Sequence, residues 1–180
     1  MKKLNLTNSY NLYSRDLENY GSAFSFFEKL KLKGIGSAKL VYEKGIDEID
    51  KIILESGNKV AILNFELLKN GLLLRYNINN EIGCFAFRLD EICSINFLSI
   101  PIQIRVKRFG RYITKIVYRG ELELINNNEK IKLYVLTKDF KSILSFLRKP
   151  LLAGKLNFEI SNNEPEKDES MWLEKLDFFI

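Results

Sequence analysis

From Val60 to Ile78, runs of β-branched, leucine and aromatic residues flank a turn rich in polar residues and glycine. The two runs, Val60 to Leu68 and Leu72 to Ile78, lie on either side of Lys69-Asn70-Gly71. An Asn-Gly pair supplies the positive φ angles of a tight turn, so this segment predicts a β-hairpin. Because the same alternation continues as far as Leu136, it predicts consecutive hairpins and therefore a mainly antiparallel β domain.

The later strands are separated by residues that usually interrupt a strand. Pro101 lies between Ser94 to Leu98 and Ile102 to Phe109, and Gly110-Arg111 precedes Tyr112 to Tyr118. Proline cannot donate to a strand ladder, and glycine favours turns. We therefore predict separate strands on either side of Pro101 and a hairpin that turns at Gly110.

A last hairpin is predicted around Asn126-Asn127-Asn128, from Glu121 to Ile125 and from Lys130 to Leu136. Side chains alternate between the two faces of a strand, so the aliphatic residues face the core and the charged residues face water. The inward set is Leu122, Leu124, Ile131, Leu133 and Val135.

Two segments have helical spacing instead. Asp47 to Glu55 carries acids in its first turn and meets Gly57, which is a suitable C-terminal stop. Residues 138–148 place apolar side chains at i, i+3, i+4 and i+7, and Pro150 ends the pattern. An apolar stripe of this width needs a partner, so we expect the amphipathic helix at 138–148 to pack across an open end of the β layers.

A chain of 180 residues fits one domain with additional segments. Residues 1 to 45 leave a helix and a strand open, because Leu17 to Phe27 fits helical spacing while Ala23 to Phe27 could start a strand. We predict four parts: an N-terminal extension with a short helix, packed on the body (1–58), a β body with its helix (59–160), an acidic linker (161–170) and an apolar terminal segment (171–180).

Composition argues against several classes of protein. The chain has no histidine, and so lacks the commonest general base and the usual zinc ligand. We therefore expect neither an enzyme nor a metal or cofactor. Cys84 and Cys93 have no paired spacing, which favours two buried thiols in a reducing compartment. Without an apolar signal core in Leu4 to Tyr20 or a run long enough to span a bilayer, we expect a cytoplasmic protein.

The order of elements carries a resemblance. Phe65-Glu66-Leu67-Leu68-Lys69-Asn70-Gly71-Leu72-Leu73-Leu74 is a strand ending in a polar-glycine turn, and Phe87-Arg88-Leu89-Asp90-Glu91-Ile92-Cys93-Ser94-Ile95 runs through a short acidic step. Ile131 to Leu136 then leads directly into Phe140 to Lys149. From Val60 to Lys149 the chain thus resembles bacterial pleckstrin-homology-like (PH-like) domains. The resemblance implies a bent antiparallel sandwich or partial barrel of about seven strands, closed by a C-terminal helix and serving as a binding module.

The stretch between Glu91 and Glu121 holds six positive charges and no acid. Strand alternation and the turn at Gly110 make a basic patch at a hairpin tip feasible. Phosphates, an anionic membrane surface or an acidic protein could bind there, whereas the alternative is a solvated outer face. We do not expect nucleic acid, because no recognition motif is present. The candidate binding residues are Arg105, Lys107, Arg108, Arg111, Lys115 and Arg119.

The last twenty residues differ in character from the rest of the chain. Residues 161–180 contain six acids and two lysines, a net charge of −4, which leaves +9 for the first 160 residues. The last ten are apolar and must be buried on this chain or on another. Candidate interaction residues there are Trp172, Leu176 and Phe179.

These observations favour a noncatalytic binding or interaction module, with an anionic group or an acidic protein surface at the basic hairpin. The alternative is a structural or oligomer-forming protein that uses the apolar C-terminal segment. Self-association and a separate protein partner both remain open. An enzyme is the class that the residues favour least.

Overall fold

The computed structural model describes residues 1–4, 6, 13, 18–57, 60–78, 80–108, 111–127, 129–164 and 166–167, with the backbone alone at 105–108, 111–112 and 166–167. A short 3₁₀ turn, Thr137–Asp139, leads into the helix that begins at Phe140. In chain order the elements are β1 (Lys2–Leu4), α1 (Phe26–Lys31), β2 (Leu40–Lys44), α2 (Asp47–Ser56), β3 (Ile62–Leu67), β4 (Gly71–Ile78), β5 (Glu81–Arg88), β6 (Ile92–Arg108), β7 (Arg111–Asn126), β8 (Glu129–Val135), α3 (Phe140–Leu147), α4 (Pro150–Ala153), β9 (Leu156–Ile160) and β10 (Glu166–Lys167).

These strands form one sheet in the order β1-β5-β4-β3-β2-β8-β7-β6-β10, and β9 also pairs with β6. All neighbours from β1 to β6 in this order are antiparallel, which confirms a mainly antiparallel β domain. β9 and β10 are exceptions, because both run parallel to β6. The sheet begins at β1 and ends at β10, so within the described residues it does not close on itself. β2, which belongs to the predicted N-terminal extension, lies in the middle of the sheet between β3 and β8.

The β3–β4 hairpin has the predicted position but not the predicted turn geometry. The Leu68 N–H donates to the Gly71 carbonyl at 2.8 Å. Neither Asn70 nor Gly71 has a positive φ, so the expectation of a positive-φ turn is wrong. Gly71 meets a different requirement: a Cβ at this position would lie 2.8 Å from the Tyr20 Cβ. The glycine therefore allows the chain at residue 20 to pack onto the start of β4.

β6 is continuous across Pro101, and the prediction of two separate strands is wrong. The Ile95 N–H and the Ser99 carbonyl both form hydrogen bonds on the side of β6 that faces β9. By alternation, the Pro101 nitrogen faces the same side. β9 pairs with β6 as far as Ser99, whereas β10 begins to pair at Ile102. The missing N–H of the proline therefore falls between these two partners and removes no ladder hydrogen bond.

β7 is also continuous, although the sequence predicts one strand before Gly120 and another after it. Gly120 pairs with Ser99 on one side and with Val135 on the other. A Cβ on Gly120 would lie 2.5 Å from Cε2 of Phe97 and 3.0 Å from the Cβ of Val135. Gly120 therefore makes room for the Phe97 ring within an unbroken strand.

The main core lies between the sheet and the helices. α3 buries Ile143, Phe146 and Leu147, and the Phe146 ring stacks on Phe65 with the centroids 6.2 Å apart. The amphipathic helix predicted at 138–148 is therefore confirmed. The opposite face of β4 and β5 holds a second, smaller cluster, which consists of Leu4, Tyr20, Leu68, Leu73, Cys84 and Ala86.

The two cysteines lie in different environments. Cys84 is buried, as expected, but Cys93 is exposed, and the expectation of two buried thiols is wrong for that residue. The β6–β7 register shifts between Ile92 and Ser94. This irregularity takes the intervening cysteine out of the alternation that directs its neighbours toward the core.

Helices α1 and α2 are fixed at their ends by different means. In α1, Ser25 and Glu28 form a capping box, because the Ser25 Oγ accepts from the Glu28 N–H and the Glu28 carboxylate accepts from the Ser25 N–H at 2.7 Å. The predicted α2 is confirmed, and it ends at Gly57 in the left-handed conformation. No helix in the described ranges is both long and apolar enough to cross a lipid bilayer.

Candidate interaction surface

The β6–β7 hairpin extends beyond the body of the sheet. β8 pairs with β7 only as far as Gly120, whereas the β6–β7 ladder continues from there to Arg108 opposite Arg111. We call residues 100–108 and 111–119 the arm. On the β6 side, β10 pairs with the arm at Ile102 and Gln103. Beyond those positions the described residues provide no third strand, so the arm is a two-stranded ribbon.

The arm exposes both of its faces. Four consecutive residues from Ile113 to Ile116 are exposed, and neighbouring residues of a strand point to opposite faces. Ile113 and Ile116 are 50% and 52% exposed, and Tyr118 is also exposed while its ring contacts Phe140 on α3. Exposed aliphatic side chains are common singly, but a group on a projecting element is typical of a surface that a partner covers.

The candidate basic residues are distributed along the arm. Arg111 and Arg119 are eight residues apart, which corresponds to roughly 27 Å at about 3.4 Å per residue. Lys115 lies midway between them and is exposed. The β6–β7 register gives the positions of all six: Arg108 opposite Arg111, Lys107 opposite Tyr112, Arg105 opposite Thr114, Lys115 opposite Ile104, and Arg119 opposite Ile100.

Arg119 is associated with the body of the sheet. Its Nη2 lies 3.6 Å from Oε1 of Glu121, and its side chain is largely covered. Glu121 also lines a shallow depression of about 170 Å³ on the outer face of β6, β7 and β8, together with Glu43, Glu123 and Lys132. The base of the arm therefore combines an arginine with a mainly acidic depression.

The acids of this depression are held by hydrogen bonds. Desolvation raises the pKa of Glu123, but hydrogen bonds from Lys130, at 2.8 Å, and from Asn96 outweigh it, so the pKa lies below its usual value. Desolvation, followed by a hydrogen bond to Glu43, raises the pKa of Tyr134 to about 12. At neutral pH the carboxylate of Glu123 is therefore ionised, and the phenol of Tyr134, which is hydrogen-bonded to Glu43, is neutral.

The chemistry that this surface offers is binding through charge and apolar contact. Within the part of the chain that the structure describes, no group of three or more cysteine, aspartate or glutamate side chains is arranged to hold a metal ion. The candidate interaction residues Trp172, Leu176 and Phe179 lie outside the described residues.

The exposed isoleucines of the arm were not among the candidate residues from the sequence. The sequence alone predicts inward or mixed positions for Ile113 and Ile116, because alternating aliphatic residues in a strand usually face a core. Comparing strand lengths could have revealed them. The strand predicted from Lys130 to Leu136 has seven residues, which is too short to cover a hairpin that extends from Ile92 to Ile125. The far end of that hairpin must therefore be exposed.

The chain matches no protein-family model, no curated protein and no solved structure.

Proposed function

We propose that this chain is a noncatalytic interaction module built on a PH-like body. The support for the PH-like body is the order of elements from β2 to α3. This part of the chain has seven strands, with α2 between the first two, and then a helix that packs on the core. Six of the strands, β3 to β8, lie within the segment from Val60 to Lys149 that carries the resemblance, and the resemblance implies about seven strands and a closing helix. Seven antiparallel strands and a C-terminal helix leave the β6–β7 arm as an extension of the body.

We infer further that the arm binds an acidic protein surface. The observation that carries this inference is the exposure of Ile113 to Ile116 on both faces of the ribbon. Isolated phosphate would need cations only, whereas a protein partner can use apolar and charged contacts together. Lys115 shares one face of the ribbon with Ile113, while Ile116 points to the other face, so the face of Lys115 offers both kinds of contact.

The test is an NMR titration of the full chain with a short peptide rich in aspartate and leucine, and with inorganic phosphate in a separate series. We expect the peptide to shift backbone amide signals of the arm, and phosphate to shift them much less. The double variant Lys115→Glu, Ile116→Ser should lose these shifts. Both side chains are exposed, so the variant should keep its urea midpoint.

A matched control comes from α2, which also exposes a lysine and an aliphatic residue. Lys51 and Leu54 are both exposed, and Lys51 faces Glu55 at 3.7 Å. The variant Lys51→Glu, Leu54→Ser makes the same chemical change elsewhere on the surface. Equal loss of peptide binding in the two variants would mean that net charge alone drives binding, and the arm would not be the site.

A further inference from the structure

The short helix α1 carries an apolar patch on its outer side. Phe26, Phe27 and Leu30 are 70%, 74% and 59% exposed. They lie on one side of the helix, because residues three and four apart in a helix are neighbours. The two phenylalanine rings contact each other edge to face, with centroids 5.8 Å apart. We call these three residues the α1 patch.

The surroundings of the α1 patch are basic. Lys29, Lys31 and Lys33 are all exposed within the same eight residues. Glu28 is the only acid between Glu18 and Glu43. Its carboxylate is already engaged, because it accepts from the Ser25 N–H in the capping box and lies 3.0 Å from the ammonium of Lys69. The patch therefore presents exposed aromatic side chains beside lysines whose charge is not offset along the helix.

The fold holds α1 in place before any partner binds. A six-residue helix is not stable alone in water, because nucleation is costly. Here the capping box fixes its start, and the buried Lys149 donates to the carbonyls of Leu32 and Gly34 just after its end. Phe24, on the preceding segment, packs against the main core. Because the helix is already ordered, binding through the α1 patch need not meet the cost of folding it.

On the helices that the structure describes, the other strongly exposed aliphatic side chain does not have this combination. Leu54 on α2 is 83% exposed, but its helix begins with Asp47, Glu48 and Asp50 and has no basic residue in its last turn. Clustered aromatic residues beside lysines are the composition of segments that lie at the surface of anionic bilayers. The aromatic rings enter the interfacial region and the lysines attract anionic headgroups.

We propose that the α1 patch inserts into the interface of an anionic lipid bilayer and holds the protein at the membrane surface. Phe26, Phe27 and Leu30 enter the headgroup region, while Lys29 and Lys31 contact anionic headgroups. This contact is separate from the binding proposed for the arm, and it uses different residues.

The test is co-sedimentation of the full chain with vesicles of phosphatidylcholine alone, and of phosphatidylcholine with about a third phosphatidylserine. We expect binding to the anionic vesicles, little binding to the neutral ones, and weaker binding at high salt. Phe26→Ser with Phe27→Ser should reduce the partition coefficient at least tenfold. Lys29→Gln with Lys31→Gln should reduce it roughly 25-fold at low salt, or about fivefold for each lysine.

The controls separate the α1 patch from general surface charge and from the arm. Leu54→Ser and Lys51→Gln should bind anionic vesicles as the unchanged chain does. Urea unfolding of the phenylalanine variant should give an unchanged midpoint, because both rings are exposed.

Four results would overturn the proposal. The first is equal, negligible binding of the unchanged chain to both kinds of vesicle. The second is full binding of the phenylalanine variant to anionic vesicles. If Lys115→Glu, Ile116→Ser then abolishes vesicle binding, the arm is the contact. The third is a lowered urea midpoint in the phenylalanine variant, and the fourth is a dimer, seen by light scattering, that this variant dissociates. In the last two cases the α1 patch would face protein and not lipid.

Loss of peptide binding by the arm variant, with vesicle binding retained, would support both proposals.

Discussion

Replacing Gly120 by alanine should destabilise the protein. A Gly to Ala replacement usually has the opposite effect, because it lowers the conformational entropy of the unfolded chain. The added methyl carbon would lie 2.5 Å from Cε2 and 2.6 Å from Cζ of Phe97. The Phe97 ring cannot move away easily, because it is buried and contacts Phe140 and Phe158, with centroids 5.4 and 5.8 Å away. Overpacking of this kind costs about 1–3 kcal/mol, while Gly to Ala returns about 0.4–1 kcal/mol. We expect a net loss of about 1–2 kcal/mol.

The assay is equilibrium unfolding in urea, and the quantity compared is the midpoint at an unchanged m-value. Gly154→Ala is the control, because no atom lies within 4 Å of the position where its Cβ would be. Phe97→Leu should reduce the cost of Gly120→Ala when the two are combined, because the smaller side chain removes the clash. A Gly120→Ala chain as stable as the unchanged one, or a cost that is the same with leucine at 97, would refute the reasoning.

Three further predictions concern single side chains or glycines. Gly45→Ala should lower the free energy of unfolding by at least about 2 kcal/mol, more than Gly120→Ala does. Gly45 has φ +110°, and a Cβ there would clash with the backbone carbonyl of Lys130. Thermal unfolding measures the effect. A hydrogen bond from the Ser25 backbone N–H, followed by the contact with Lys69, lowers the pKa of Glu28 to about 2. The stabilisation that the Glu28 carboxylate provides is complete above about pH 4.5 and is lost as the pH falls through 2. In an NMR titration, Lys69→Met should raise the pKa of Glu28. Lys149→Met should cost about 1–3 kcal/mol and speed hydrogen exchange at the end of α1, because two carbonyls lose their donor.

Much of the sheet could be predicted because its signal is local. The hairpin between β3 and β4 and the one between β7 and β8 follow from alternation and from the turn residues between the strands. α3 follows from the spacing of Phe140, Ile143, Leu144 and Leu147. In each case the residues that determine the element are within the element, so no knowledge of distant partners is needed.

The errors arise where a distant partner decides the local structure. Pro101 reads as a break, but its nitrogen faces the gap between two strands that come more than fifty residues later. The sequence predicts that one strand ends at Tyr118 and another begins at Glu121, but Gly120 lies inside a single strand, where the ring of Phe97 leaves no room for a side chain. β1 has three residues, and its only ladder partner among the described residues is β5, so its sequence carries almost no periodic signal.

The candidate surfaces were harder to predict than the fold for a related reason. A search for charge found the basic residues of the arm, because charge can be counted along the chain. It could not show that the cations follow a ribbon roughly 27 Å long, since that depends on where β8 ends. The α1 patch was missed because Phe27 fits helical spacing, and an aromatic residue at helical spacing is usually assigned to a core. Exposure depends on what packs against the helix, and the local sequence does not contain that information.

The edges of the sheet limit how a partner can bind. An open strand edge can pair with another chain, and short edge strands reduce this tendency. β1 has three residues and β10 has two, while β9 covers β6 from Ile95 to Ser99. Strand addition at β1, β9 or β10 would therefore gain few hydrogen bonds. Among the described residues the longer open edge is that of β7 in the arm, beyond Gly120, where β8 ends. The arm and the α1 patch instead offer side chains: isoleucines with Lys115 in one case, and phenylalanines with lysines in the other. Binding should therefore depend on side-chain identity. Lys115→Glu with Ile116→Ser should abolish binding by the arm and leave binding by the α1 patch intact. Phe26→Ser with Phe27→Ser should have the opposite effect, and neither variant should disturb the backbone ladder.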